Sequence, residues 1–263
     1  MIKDKILHYF AWLLNRPIIR NITPSSWYIK IRFYEHLNKK LNLDSPETFN
    51  EKLQWLKVNN RKNEYTQMVD KFRVRNFVRE KIGPEYLIPL VGGPWRNADE
   101  IEYSKLPDKF VFKCNHDSAS VVICKDKKTF DIYGTNEKLN KALKFNYYWL
   151  SREWPYKNIV PCIIAEKYME DESEQDLKDY KFFCFNGVVK FYKIDFDRFT
   201  NHHANYYDCE GHILPFGEEI CPPDFNRKLE IPQNINEMIL LAAKLSKGIP
   251  FVRIDFYNIN GKI

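Results

Sequence analysis

An α+β fold is predicted by three features of the chain. The first third carries apolar residues at helical spacing, the stretch after about residue 104 is built of short apolar runs, and residues 251–257 alternate strictly between apolar and charged. The 263 residues are 44% hydrophobic, 16% aromatic and 29% charged, which suits one large domain or two smaller ones sharing a cleft. Aromatics are plentiful while Gly 9 and Pro 14 are modest, so disordered, collagen-like and disulfide-scaffold classes are excluded. The longest apolar run, residues 238–243, is too short to span a bilayer, and a soluble globular chain is expected.

The N-terminal stretch MIKDKILHYFAWLLNRP has no small-residue cleavage site and is read as an amphipathic helix, with Ile6, Phe10, Leu13 and Leu14 on one face. Core packing is favoured for that face over peripheral docking to a membrane. Ser45-Pro46 has the order of a helix start, followed by Phe49, Leu53 and Leu56 on one side. A further helix is expected over residues 65–82, closed by Gly83-Pro84. Pro89, Gly92, Gly93 and Pro94 then change the texture, and a domain boundary is placed between a helical region 1–95 and a region 96–263.

Residues 110–114 and 121–124 read as strands joined by the polar loop 115–120, and residues 135–149 as a helix. A buried strand is expected over 159–165, running into Glu166-Lys167-Tyr168-Met169. After an acidic stretch, 170–179, a strand pair 180–185 and 188–194 turns at Asn186-Gly187. The last helix, 236–247, has Met238, Leu241, Ala242 and Leu245 on its apolar face and stops at Gly248. In 251–257, Val252, Ile254 and Phe256 take one face and Arg253 and Asp255 the other. Asn260-Gly261 signals a hairpin whose second strand is missing before Ile263, so a truncated C-terminal hairpin is expected.

Lys+Arg 41 against Asp+Glu 35 gives a formal charge of +6, spread along the chain apart from the dense run 71–81. Such an excess suits anionic partners, although most of these side chains are expected to be solvated. No concentrated basic stripe or stacking platform points to nucleic acid. The six cysteines have no CxxC spacing and read as reduced thiols of a cytoplasmic protein. Phosphate-loop, GxGxxG, GxSxG and HExxH patterns are all missing.

What remains is a set of charged residues at strand ends. Lys113 closes its strand and is followed by hydroxyls at Ser118 and Ser120. Glu166 and Lys167 follow the buried strand, and Arg253 and Asp255 leave one face of the last. Two lysines from different strands can grip a polyphosphate while a carboxylate holds its magnesium. In order and context this resembles the ATP-grasp fold, and more closely the TupA-like ATP-grasp family of polysaccharide gene clusters. The resemblance rests on SPETFNEKLQWLK (45–57), DKFRVRNFVREKIG (70–83), KFVFKCNH (109–116), IIAEKYM (163–169), DLKDYKFFCFNG (176–187), DFDRFTNHHANYYD (195–208) and FVRIDFYNINGKI (251–263).

That resemblance implies two α+β lobes enclosing a nucleotide cleft behind the helical N-terminal region. It implies ATP and Mg²⁺ as cofactors, and an amide-forming carboxylate–amine ligase that works through an acyl phosphate on a carboxylate-bearing glycan precursor or small molecule. By position, Lys113 and Lys167, with Ser118 and Ser120, would contact phosphates, and Glu166, Tyr168 and Met169 would read adenine. Asp255 would hold magnesium, and Arg253 would stabilise the acyl centre. Arg198 would clamp an acidic substrate. The chain departs from the pattern in two places: loop 116–120 has no glycine, and the second magnesium-binding acid would lie beyond Ile263. Two other readings are kept, the first on the spacing of two acids and the second on these departures. One is a metal-dependent glycosyltransferase using Asp195 and Asp197, and the other is a catalytically impaired remnant. The resemblance places the protein in the cytoplasm, with the inner membrane face, where surface polysaccharide precursors are assembled, as the alternative site.

Overall fold

The computed structural model describes Tyr9 and residues 11–170, 177–198 and 200–263. The chain packs as two compact units, one made of Met1–Arg75 and Pro89–Tyr168, the other of Asn76–Ile88 and Met169–Ile263. This division runs at other places than the compositional one at 95/96. The reason is strand pairing: β1 (Leu90–Trp95) lies antiparallel to β4 (Ile163–Lys167), which ties the residues before 95 to the sheet that follows them.

The first unit opens with helices α1 (Pro17–Ile22), α2 (Ser25–Leu37), α3 (Phe49–Asn59) and α4 (Asn63–Val69). Leu14, Tyr28, Ile29, Phe33 and Leu41 bury one another, and Ile19 packs on them. Of the apolar face expected at the N-terminus, Leu14 is buried and Leu13 half-buried, while Ile6 and Phe10 lie outside the described residues. The start of α3 differs from the Ser45-Pro46 expectation. Thr48 is the cap: its hydroxyl accepts from the Glu51 amide at 3.3 Å while the Glu51 carboxylate accepts from the Thr48 amide at 2.9 Å.

The helix expected over 65–82 is two helices. It breaks at Asp70 between α4 and α5 (Val74–Lys81). The buried Asp70 carboxylate accepts from the amides of Phe72 at 2.9 Å and Arg73 at 3.2 Å, a local bond that competes with continued helix. Asp70→Ala leaves those amides without the cap and is expected to cost about 1–2 kcal/mol in urea denaturation. An unchanged midpoint would show that the break is held by packing alone.

Four antiparallel strands, in the order β1, β4, β2 (Phe110–Cys114), β3 (Val122–Cys124), form the first sheet. Phe110, Phe112, Cys114, Ile163 and Ala165 turn to one side, where Leu139 of α6 (Ile132–Leu143) closes the core. The helix expected over 135–149 ends at Leu143, and a short α7 (Tyr148–Ser151) follows, with the Asn146 side chain accepting from the Tyr148 amide at 3.0 Å.

In the second unit β5 (Asp179–Phe185), β6 (Val188–Phe196), β7 (His203–Tyr207) and β8 (Val252–Tyr257) form an antiparallel sheet in the order β7, β6, β5, β8. The turn between β5 and β6 has left-handed φ at both Asn186 (51°) and Gly187 (84°), as a two-residue hairpin requires. Tyr180, Phe182, Tyr192 and Ile194 face Met238 and Ala242 of α8 (Ile235–Ser246) in the core. Asn260 and Gly261 also have positive φ and close an Ile259–Lys262 bridge. All six cysteines are free, five of them buried, and burial pushes the Cys114 and Cys184 thiols up to about 11, so they pack as neutral groups. Part of the acidic stretch, residues 171–176, and Phe199 of the DFDRFTNHH segment lie outside the described residues.

Candidate functional site

Each sheet carries one polar face. In the first unit, register sets its membership. Lys113 lies opposite Ile164 and Val111 opposite Glu166, so Lys113 and Glu166 share a face, and Lys113 Nζ donates to Glu166 Oε2 at 2.6 Å. Arg75 lies 3.8 Å from the other Glu166 oxygen. Lys167, one residue further along β4, alternates to the opposite side and stays exposed, so the structure does not bring Lys113 and Lys167 together. The backbone amide of Lys167 donates to Pro89 at 2.9 Å, and Lys125 stands over the Tyr168 ring at 5.9 Å. The chain passes from the first unit to the second between Tyr168 and Met169.

Loop 115–120 is held from several directions. Asn115 donates to Val160 at 3.2 Å and accepts from the Cys162 amide at 2.8 Å. His116 Nε2 lies 2.9 Å from the Phe145 carbonyl. Ser120 donates to the Asp117 carboxylate at 2.6 Å and accepts from the Cys114 amide at 2.9 Å, so its hydroxyl is engaged inside the loop. Ser118 is exposed at the tip and makes no hydrogen bond among the described residues. Beneath the loop, Lys71 Nζ donates to the carbonyls of Cys114, at 3.2 Å, and Asp117, and burial pushes its ammonium below the ordinary lysine range.

The polar face of the second sheet is a charge network. The buried Asp195 carboxylate accepts from Lys181, lies 3.5 Å from Lys193 Nζ, and sits 2.8 Å from His202 Nε2. Burial pushes that carboxyl up, but Lys181, Lys193 and His202 together outweigh it and hold it below the usual carboxylate range. Lys181 also meets Asp179 at 3.0 Å, as does Arg198, and Lys193 meets Glu218. Arg253 and Asp255 form a bidentate pair at 2.7 Å on both bonds, on β8 next to β5, with Lys181 opposite Asp255 in register. Burial lowers the Arg253 guanidinium, and Asp255 together with Asp179 and Asp195 more than restores it, leaving it raised.

Asp197 sits past the end of β6 with left-handed φ, and its carbonyl accepts from Thr200. Cys221 Sγ is 3.2 Å from His202 Nδ1, and one ligand atom from each of Asp195, His202 and Cys221 lies within 4.8 Å of the other two, a spacing that could hold a metal ion.

Sequence reasoning passed over Lys71, Arg75, Lys181 and Lys193. The first two sit in the dense basic run 71–81, taken as solvated surface. The signal for Lys181 and Lys193 was their period-2 spacing with Asp179 and Asp195, which puts both pairs on one face.

The donor set around Lys113 suits a polyphosphate: Lys71, Lys113 and Arg75 outnumber Glu166 and Asp117, and Ser118 is exposed in the loop that follows Lys113. Asp255 offers the hard oxygens magnesium takes, in exchange for its bonds to Arg253.

No curated protein matches the chain. Two solved structures resemble it, each with a TM-score of 0.40 over 81% of this chain: the ATP-grasp ligase PsnB with a phosphomimetic variant of its minimal precursor, Mg and ADP, at 8% identity, and PsnB with its minimal precursor, at 11%. The chain spans about half the length of these structures, 54% and 56%. The family described as TupA-like ATPgrasp matches residues 51–263, from α3 through the last residue of the chain. The chain belongs to the TupA-like ATP-grasp family.

Proposed function

We propose that the protein is an ATP- and Mg²⁺-dependent carboxylate–amine ligase acting in cell-surface or capsular polysaccharide biosynthesis. The observation that carries this reading is the family match over residues 51–263, which includes the Lys113–Glu166–Arg75 cluster. Lys113, with Ser118 at the loop tip, binds phosphate oxygens; Ser120 acts by holding the loop, since its hydroxyl is already engaged. The segment Glu166–Met169 takes the adenine, while Lys167, on the far side of β4, is left out of the phosphate site that Lys113 forms. Asp255 would hold the magnesium that comes with ATP, and the ion would supply neutralisation of phosphate charge. A substrate carboxylate attacks the γ-phosphorus and ADP leaves. An amine then attacks the acyl phosphate, its lost proton passes to solvent, and phosphate departs. Arg253 faces the developing negative charge and Arg198 pairs with a substrate carboxylate.

A thermal-shift comparison tests the reading. ATP·Mg²⁺ at about a hundred times its dissociation constant is expected to stabilise by roughly 2.7 kcal/mol, a rise of about 5–10 °C for a chain of this size. Lys113→Ala is expected to weaken ATP binding by about 10- to 100-fold, the worth of a charge-assisted hydrogen bond, with an unchanged circular dichroism spectrum. A shift with UDP-sugar·Mn²⁺ alone, lost in Asp197→Ala and kept in Asp255→Ala, would replace the ligase by a glycosyltransferase. ATP binding without phosphate release across a panel of acids and amines would mark a remnant.

A further inference from the structure

The N-terminal helices bury one side and leave the other bare. In α1, Ile19 packs inward, yet Ile18 and Ile22, four residues apart on one face, are 79% and 77% exposed. In α2, Tyr28, Ile29 and Phe33 are buried, while Trp27 (68% exposed), Lys30 and Leu37 line the outward side. Before them, residues 11–13 are helical and Trp12 is half exposed, stacked on Tyr9 at 5.8 Å with the Arg16 guanidinium 5.2 Å over its ring. Single exposed apolar residues are ordinary on a protein surface. Three successive helical segments that each present tryptophan or isoleucine outward are not.

The charge on this stretch is one-sided. Residues 9–34 contain Arg16, Arg20, Lys30 and Arg32 and no aspartate or glutamate. Arg32 is neutralised by Glu35 at 2.5 Å; Arg16, Arg20 and Lys30 have no acidic partner among the described residues. Tryptophan and isoleucine flanked by unpaired cations match the boundary of an anionic bilayer, where apolar side chains enter the acyl region and cations meet lipid phosphates. Among the described residues no helix is long and apolar enough to cross a membrane, so the contact this surface allows is peripheral.

We propose that the outward face of residues 9–37, through Trp12, Ile18, Ile22 and Trp27 with Arg16, Arg20 and Lys30, docks the protein on an anionic lipid surface. Charge complementarity selects this occupant. A second copy of the same face would set these cations against each other, and a neutral apolar partner would leave them unmatched.

Vesicle flotation of the full chain tests the proposal, with phosphatidylcholine vesicles against vesicles containing about one-third phosphatidylglycerol. Binding is expected to the anionic vesicles only, and to fall as salt rises. Ile18→Ser/Ile22→Ser/Trp27→Ser is expected to lose it at least tenfold. Each cation contributes about fivefold near such a surface, so Arg16→Gln/Arg20→Gln should lose roughly 25-fold. Apart from the half-buried Arg20 these side chains are exposed, and an unchanged melting temperature in each variant separates lost docking from lost folding. Absence of binding to either vesicle overturns the proposal. So does a dimer that dissociates in the triple variant, which would assign the face to a second copy. Equal binding to both vesicle types overturns it as well, because the cations would then play no part.

Discussion

Asp195→Ala is expected to lower stability by about 3–5 kcal/mol, the cost of leaving buried cations without their anion. The carboxylate is 2% exposed and serves Lys181, Lys193 and His202 at once. Lys181 keeps Asp179 and Lys193 keeps Glu218 after the substitution, which places the expected loss toward the lower end. The same physics predicts that Lys181→Met/Asp195→Leu/Lys193→Met recovers most of it, since removing the three buried charges at the centre of the network removes the desolvation they impose, while Asp179 keeps Arg198. The pH dependence follows from the direction of the shifts. Asp195 has a folded value below its unfolded one, so its contribution is full above the unfolded value and is lost as pH falls through the folded one, below about pH 4. Burial lowers Lys181, but Asp179 and Asp195 more than offset it and raise it; its contribution is full below the unfolded lysine value and is lost only above about pH 10. Urea denaturation monitored by circular dichroism at pH 7, at about pH 3.5 and above about pH 10 checks both parts. A loss under about 1 kcal/mol at neutral pH would show a network solvated enough to behave as surface ion pairs do.

Elements whose signals are local were legible in the sequence. The hairpin at Asn186-Gly187 needs two residues of positive φ, and the alternation over 252–257 needs only a half-buried strand. The last helix was placed to within a residue by its apolar face and by Gly248. What escaped were side chains that bond their own backbone: Thr48 with Glu51 moved a helix start, and Asp70 split one helix into two. Ser45-Pro46 carried a stronger compositional signal than Thr48, but a capping box is a reciprocal pair and Thr48-x-x-Glu51 is its spelling.

The candidate site divides in the same way. Lys113, Glu166, Arg253 and Asp255 could be named because each ends or lines a recognisable strand. Their partners could not. Lys113 meets Glu166 across 53 residues only because β2 and β4 pair in one register, and a slip of one would put Lys167 on that face instead. Lys71 and Arg75 reach the cluster from a segment whose composition says surface; their place follows the helix break at Asp70, a local side-chain bond, and their partners on β2 and β4 are set by tertiary packing. The polar face of the second sheet was readable at the level of alternation, in Asp179, Lys181, Lys193 and Asp195, but not as a network, because β5, β6 and β8 meet through pairings that span up to 78 residues.

Arg152→Ala is expected to cost about 3–5 kcal/mol, comparable to deleting a large aromatic side chain from a core. Arg152 is 1% exposed and has no acidic partner among the described residues. Its guanidinium carbon lies 4.5 Å from the Tyr28 ring centre, 4.9 Å from Trp149 and 5.3 Å from Tyr148, and its terminal nitrogen donates to the carbonyls of Arg20 and of Thr23, the latter at 3.1 Å. The charge is thus held by ring faces and by carbonyls at the end of α1, where a helix presents partial negative charge. Arg152→Lys is expected to recover little, because an ammonium cannot stack flat among three rings while reaching two carbonyls. Arg152 also sits at φ 57°, so Arg152→Gly should be less harmful than Arg152→Ala by about 1 kcal/mol, the backbone strain that glycine avoids. Thermal unfolding orders the three variants. Limited proteolysis then locates the damage: trypsin should cut faster at Arg20, in the last turn of the helix this guanidinium anchors, while sites in the second unit keep their rates. Uniform acceleration in both units would mean that Arg152 supports the whole chain rather than the N-terminal helices.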